Sequence, residues 1–580
     1  MDLIATANFY VNKLVTSDRG TSIKVLLLDD HTAPSISLCA TQSDLLKHEI
    51  YLIDKLANTS RAAMRHLRCI VYIKPEPASI TALLAELRSP RYASYELNFS
   101  NAVRKSDLEK LAESDDLEVV TRVSEVFTDY LVLDRGLFVA GSGTARADAW
   151  EKPALDAATQ NLSALLLSLK CKPTIRYERN SKMAAKLASE LGYAVHEGDL
   201  SALFDFPTRD VAPLLLILDR KNDPITPLLV PWTFQSMVHE FIGIRNNTVD
   251  LSRVPGVAKD MEQVVLNPET DAFYREAMHL NFGDLGDKIK AYVDQYKAKT
   301  NTTKKLDTLQ DMKNFIDEFP EFRRLSGNVS KHMTLALELD RCINALRIWE
   351  VSELEQSLAC NDNHSVDLQE LERLVLNHPN PQTPQQVTQP LSVEAKIRLV
   401  ALYALRYEKH AGNQVRRLEA LLLTQGVEGI TVGTIRAVLA YAGASQRLET
   451  TGEASVFSKA NAFMGLGAKQ SENLYMQHVP RVEAVVTQAI RGKLAVRDYP
   501  VGKHSVELVA DRVQDVIVYV VGGITYEEAR VLHNLQGTNK GVRIVAGGNI
   551  VHNSRTFMQR RHRVKGYRVT IVENPDEKRL

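Results

Sequence analysis

Two observations predict an α/β plus α fold, with two parallel-sheet α/β regions and a large helical insertion. Short apolar runs alternate with helical patterns over the first 220 residues and again after residue 500, as in sheets covered by helices on both faces. Between them lies a block that is almost wholly helical. The first region reads IKVLLLDD as a strand, LLKHEIYLIDKLA as a helix and CIVYIKP as a strand. ITALLAELR then reads as a helix, YELNFS as a strand and, after a helical stretch, DYLVLD as a strand, which takes the region to residue 140.

A second α/β region follows, over 141–231. It carries SALLLSLK, PTIRYER, a helix from Ser181 to Leu191 and the strand LLLILD. The helical block spans 232–480. Its one clear linker, NHPNPQTPQQVTQP at 377–390, holds too many prolines and glutamines to sustain a helix or a core. In 481–580 strands return as DVIVYVVGG and GVRIVAGG, with a helix from Thr525 between them. Late strands need a sheet to join. The economical reading is that they rejoin the second region, which makes the helical block an insertion within it.

Composition excludes several function classes. Lysine plus arginine and aspartate plus glutamate balance at 71 each, so no global field draws nucleic acid or anionic lipid. The five cysteines (Cys39, Cys69, Cys171, Cys342 and Cys360) are scattered, and no pair has metal-ligand or redox spacing; a reducing compartment is expected. The longest apolar runs fall short of the ~20 residues a membrane helix needs, and the N-terminus lacks a signal-peptide core. A soluble, intracellular, multidomain protein is expected.

Motif-like stretches argue weakly for chemistry. GSGTAR has Arg146 where a dinucleotide fingerprint needs its third glycine, and GLGAK (465–469) lacks the spacing of a phosphate loop. Gly522 and Gly523 precede a helix, but Thr525 and Glu528 form a T-x-x-E capping box for the same amides. His239–Glu240 lacks the second histidine of a zinc helix, and QRRHRVKGYRV (559–569) reads as a solvated face or a last strand. No cofactor and no metal are expected.

The stretch LLLILDRKNDPITPLLVPWTFQSMVHE (214–240) poses the sharper choice. Asp219, Arg220 and Asp223 end a buried run, as metal-holding or acid–base carboxylates do in α/β enzymes. Pro224, however, excludes a helical Asp223, and Asp223 and Thr226 suit acceptors in a turn. Pro227 and Pro231 suit helix starts, and Trp232 opens a helix that is apolar on several sides. A structural corner is favoured, with an α/β enzyme using Asp219 and Asp223 as the alternative.

Two apolar sets are candidate binding surfaces. Ser106 and Glu109 read as a capping box opening a helix with Leu108, Leu111 and Ala112 on one face. Ser114 then reads as the cap of a second helix bearing Leu117, Val120 and Val123. An elbow of two helices leaves a groove for a peptide anchor, unless these residues pack on the sheet. Farther on, Leu306, Leu309, Met312, Ile316 and Phe319 form a helical stripe in a polar segment, stopped by Pro320.

The stretch LDRKNDPITPLLVPWTFQSMVHEFIGIRNNTVDLS (218–252) closely resembles the signature of the Sec/Munc (SM) family, which acts with SNAREs in vesicle fusion. The resemblance runs nearly end to end, through KVLLLDDHT, ATQSDLLKHEIYLID, RHLRCIVYIKP, YASYELNFSNAVRKSDLEKLAESD, MKNFIDEFPEFRRLSGNVSKHM, SENLYMQHVP and VVGGITYEEARVLHNL. It is strongest to the endosomal and trans-Golgi branch. It implies a three-domain arch: domain 1 at 1–140, a domain 2 split between 141–231 and 481–580, and a helical domain 3 at 232–480. It implies no enzyme, but a monomer that promotes and regulates SNARE complex assembly for vesicle docking and fusion. The partners implied are a syntaxin-like Qa-SNARE, the assembled SNARE complex and an R-SNARE, with the protein peripheral on Golgi, endosomal and vacuolar membranes. Leu108, Leu111, Ala112, Leu117, Val120 and Val123 would then form the syntaxin N-peptide pocket. The stripe Leu306–Phe319 with Pro320 would be a template hairpin around 299–330.

Overall fold

Apolar runs without polar interruption need cover on both faces, and the chain supplies it twice. The computed structural model describes residues 1–16, 23–141, 149–207, 209–257, 259–300, 329–378, 389–448, 473–505 and 513–562. Strands β1 (Lys24–Leu28), β2 (Ile50–Lys55), β3 (Met64–Ile73), β4 (Tyr92–Phe99) and β5 (Val120–Glu125) form a parallel sheet in the order β2-β1-β3-β4-β5. Val25, Leu27, Val71 and Leu97 face helix Pro77–Arg88, while Leu26, Leu28, Ile70 and Tyr72 meet Val11, Leu14 and Val15 of the N-terminal helix.

The second sheet gathers strands from distant parts of the chain. It comprises β6 (Leu131–Val132), β7 (Leu137–Val139), β8 (Thr174–Tyr177), β9 (Leu214–Asp219), β12 (Asp515–Val521) and β14 (Arg543–Gly548), in the order β6-β7-β14-β12-β9-β8. Two further hairpin strands, β10 (Thr248–Asp250) and β11 (Gln263–Val265), lie in the helical block, and β13 (Ile524–Thr525) pairs with β15 (Val551–His552). β12 runs parallel to β9 from Val516↔Leu214 to Val521↔Asp219, so strands some 300 residues apart share one core. Alternate residues separate cleanly. Leu215, Ile217, Ile517 and Tyr519 pack under helices Lys152–Ser168 and Lys182–His196, and Leu214, Leu216, Val516 and Val518 under helices Arg481–Ile490 and Tyr526–Thr538.

Two sequence expectations are corrected. LLKHEIYLIDKLA is not one helix: the helix stops at Lys47, Glu49 turns with φ +63°, and the β-branched stretch after it pairs with β1. DYLVLD belongs to the second sheet, because β7 pairs with β14 and β6 returns antiparallel to β7. The sheets therefore change over between Glu125 and Leu131, not at 140. SALLLSLK lies mostly within helix Lys152–Ser168, whose part of the run is fully buried. Of the basic run, Gln559–His562 closes helix Ser554–His562, and 563–569 lie outside the described residues.

The chain leaves β9 through a 3-10 turn, Arg220–Asn222, and a second, Thr226–Leu228, with Pro227 in its first turn. Ile225, Leu228 and Leu229 enter the core of helices Ile348–Cys360, Val393–Arg406 and Gly429–Ala442, while Val230, Trp232, Phe234 and Met237 enter that of helix Val329–Ala345. Across the corner, Gly522 and Gly523 hold positive φ. A Cβ on Gly523 would sit 2.5 Å from the His552 ring and one on Gly522 2.9 Å from Arg220 Cβ, so both glycines admit neighbouring side chains. The capping box at Thr525 and Glu528 is formed, and Glu528 also takes the Arg220 guanidinium at 2.8 and 2.5 Å with both side chains buried.

Glu528→Ala removes the cap and strands a buried guanidinium. It should cost about 3–5 kcal/mol of stability, read by urea denaturation, while the same substitution at exposed Glu109 should cost almost nothing.

Candidate functional site

The corner after β9 is a closed polar knot. Asp219 accepts from Ser181 Oγ (2.5 Å) and from the Lys221 N–H (3.0 Å). Asp223 accepts from the Thr226 N–H (3.1 Å) and hydroxyl (2.7 Å) and from the Arg481 N–H (3.1 Å). Glu178 accepts from the Asp219 N–H (2.7 Å) and Asn222 Nδ2 (2.6 Å), and is paired with Arg481. Burial pushes the Asp219 carboxyl up, with Ser181 and the Lys221 amide opposing. Burial pushes Asp223 up as well, but Arg220, His478 and Thr226 outweigh it and hold that carboxyl below its ordinary range. Every carboxylate here is committed to backbone or guanidinium donors, and a metal would have to displace them. Among the described residues no cluster of three histidines, cysteines or carboxylates is placed to hold a metal. Of the residues that close the knot, Glu178 and Arg481 carried no local signal, since each meets the corner across a gap of dozens to hundreds of residues, and Glu528 was legible as a helix cap but not as the partner of Arg220.

Trp232 lies buried beyond the corner, its indole N–H donating to Ser352 Oγ (3.0 Å) and its ring stacked on Trp349 at 4.4 Å. Pro224 lies between the two 3-10 turns.

The expected two-helix elbow of the first sheet is a helix, a turn and an edge strand. Helix Lys105–Glu113 starts one residue before Ser106: Arg104 is its N-cap without a side-chain cap bond, and Asp107 answers Arg104 Nε at 2.8 Å. The Ser106–Glu109 capping box is thus not formed. Ser114 ends this helix instead of opening a second one. Asp115 then holds the Val119 and Val120 amides at 2.9 and 3.0 Å, Glu118 turns with φ +51°, and the β-branched run enters β5 alongside β4.

This geometry divides the six groove residues. Leu111 is 4% exposed and belongs to the sheet core, and Val120 is half-buried against it. Leu117 (68%), Val123 (49%) and Leu108 (36%) face solvent, as does Ala112. Val120 and Val123, three apart on a strand, point to opposite faces, so they share no stripe. Leu306, Leu309, Met312, Ile316, Phe319 and Pro320 lie outside the described residues, as do 379–388 of the linker.

Comparison with known proteins gives a consistent result. Residues 24–560 match the model of the Sec1 family. Vacuolar protein sorting-associated protein 45 of Saccharomyces cerevisiae is 42% identical over 584 residues, covering 96% of this chain and 99% of that protein. The Homo sapiens protein of the same name is 40% identical over 565 residues, covering 96% of each. Among solved structures, the SM protein Vps45 in complex with the Qa SNARE Tlg2 (1–310) superposes with a TM-score of 0.84 at 43% identity, covering 97% of this chain and 98% of that one. The Unc18–syntaxin 1 complex from Monosiga brevicollis shares the fold at 18% identity, with a TM-score of 0.76 over 97% of this chain and all of that one.

Two substitutions test the division of the groove. Leu111→Arg buries an unpaired charge and should unfold the first α/β unit, whereas Leu117→Arg should leave its melting temperature unchanged; circular dichroism melts distinguish them. Asp223→Ala should cost about 2 kcal/mol by losing three buried acceptor contacts, with the bound-metal content of the protein the same before and after.

Proposed function

The chain belongs to the Sec1 family, and from that premise we propose that it binds a syntaxin-like Qa-SNARE and promotes and regulates SNARE complex assembly for vesicle docking and fusion. The observation that carries this reading is the near-full-length identity of 40–42% to vacuolar protein sorting-associated protein 45 from two distant organisms, joined to the superposition on a relative that holds a Qa SNARE. Transport between Golgi, endosome and vacuole is part of the same reading, on family resemblance, and the vacuolar sorting in the relatives' name supports it. No helix among the described residues is long and apolar enough to cross a membrane, which suits a peripheral protein held through its SNARE.

The three-domain arch, with domain 2 divided by the helical insertion, is part of the same reading and is supported by the pairing of β9 with β12. The N-terminal peptide of the SNARE is assigned to the outer edge of the first sheet. There Leu117, Leu108 and Val123 offer apolar surface without core duties, a signature of recognition rather than packing. Leu111 and Val120 support that edge from below. The stripe Leu306–Phe319 with Pro320 is assigned to receiving SNARE helices, and the assembled complex and an R-SNARE are its expected partners, on family resemblance alone. The protein binds without chemistry in this reading, and the saturated carboxylates of the corner agree with a structural role for Asp219 and Asp223.

Leu117→Arg decides the assignment. Placing a charge where an apolar anchor docks should remove about 2 kcal/mol and weaken a Qa-SNARE N-terminal peptide about thirtyfold in calorimetry. Full-length SNARE should lose less, because a second surface holds it at high effective concentration. A folded variant that binds the peptide at wild-type affinity removes Leu117 from the site.

A further inference from the structure

The helical block is fastened to the second α/β unit by a buried charge cluster whose charges do not balance. Glu355 of helix Ile348–Cys360 is fully buried and accepts the Val230 N–H at 2.7 Å, at the point where the chain leaves the corner. Arg398 of helix Val393–Arg406 reaches Glu355 at 2.9 Å and Glu240 of helix Phe234–Phe241 at 3.3 Å. Glu240 in turn accepts from the Ser554 N–H at 2.9 Å and from its hydroxyl, which binds the last described helix to the same cluster; Arg398 Nη1 reaches that hydroxyl at 3.2 Å. Two carboxylates therefore face one guanidinium in a largely buried junction where four segments meet.

Among the described residues no second lysine or arginine is paired with Glu355 or Glu240: Arg530, which lines the same cavity as Glu240, is paired with Glu527, and Arg555 beside Ser554 is exposed. The corner contributes only the Val230 amide, and the last helix contributes Ser554. His239, next to Glu240, donates from Nε2 to Val551 O and accepts the Ile244 N–H at Nδ1, and burial keeps its imidazole below the usual histidine range, so it stays neutral. His478 is turned toward Thr226 and Asp223. With both glutamates ionised the cluster carries one uncompensated negative charge, which a low-dielectric site resists by keeping a proton.

We propose that the seating of the helical block on the second α/β unit is proton-linked, one proton being held by the Glu355–Arg398–Glu240 cluster while the junction is closed and released when it opens. Burial is the main cause of the shift, raising the Glu355 carboxyl from 4.5 to about 7 against the pull of Arg398, and Glu240 adds to it. The sign follows. A carboxyl raised in the closed state stabilises closure fully below its ordinary range, and that contribution is lost as pH rises through about 7. Near neutrality the junction sits on the slope of that dependence.

Hydrogen exchange of the full-length protein, corrected for intrinsic chemistry and followed in helices Ile348–Cys360 and Val393–Arg406, measures the opening constant directly. In the wild type it should rise toward tenfold per pH unit between about pH 5 and 7 and level off above about 8, as release of one proton requires. Glu355→Gln should abolish the slope, and Glu240→Gln, which leaves Arg398 to Glu355 alone, should move it to lower pH. An opening constant that is flat across this range in the wild type overturns the proposal. So does a wild-type slope retained in Glu355→Gln or, should that variant not fold, left unshifted in Glu240→Gln.

Discussion

The Arg220–Glu528 pair is the contact on which the rest of the molecule hangs. It joins the end of β9 to a helix 308 residues later in sequence, with both side chains almost fully buried. Desolvating two ions is expensive, and the pair tolerates it because Glu528 also caps its own helix through Thr525, so that its lone pairs are used. The neighbouring Glu178–Arg481 pair repeats the device with the segment by which the chain returns from the helical block, and Arg481 continues to the Tyr499 hydroxyl at 2.7 Å. Exit and return are thereby clamped at one point. A split unit needs such a clamp, since loop closure over hundreds of residues must be compensated by contacts at the seam.

Apolar packing provides the bulk of the energy around that seam, but it does not choose the geometry. Leu and Val side chains of β9 and β12 would be content in many registers, because a slip of two residues preserves the face. Fixed acceptors at the strand end remove that freedom: Asp219, Glu178 and Asn222 accept from the N–H groups of Lys221, Asp219 and Leu448. The direction in which Pro227 and Trp232 launch the helical block is set by those bonds. The imbalance of charge at Glu240, Glu355 and Arg398 lies one step farther along the same path, where the block comes to rest.

The proposed recognition edge is built on the opposite economy. The β5 turn is held by a single aspartate, Asp115, and its apolar residues are left on the surface, where they weaken no core. Separating rigid scaffold from exposed anchor lets one be altered without the other. The N-terminal helix couples the two regions, because its first turns enter the core of the second sheet and its last turns that of the first.

Much of this was legible in the chain itself. The fully buried strands, the helical insertion, the T-x-x-E cap and the turn chemistry of Asp223 and Pro224 follow from local rules of burial, capping and backbone restriction, which need no knowledge of distant residues. The same local rules failed at Ser114 and at LLKHEIYLIDKLA. There an apolar spacing compatible with a helix was overruled by β-branched side chains and by a neighbouring strand offering unpaired backbone. They also could not separate Leu111 from Leu117, six residues apart in one amphipathic stretch, because burial depends on what lies across the interface. The partners of Arg220, Asp223 and Arg398 were decided only by tertiary structure. An ion pair spanning hundreds of residues leaves no periodicity in the sequence, for it is chosen by where two sheets and a helical block bring their ends together.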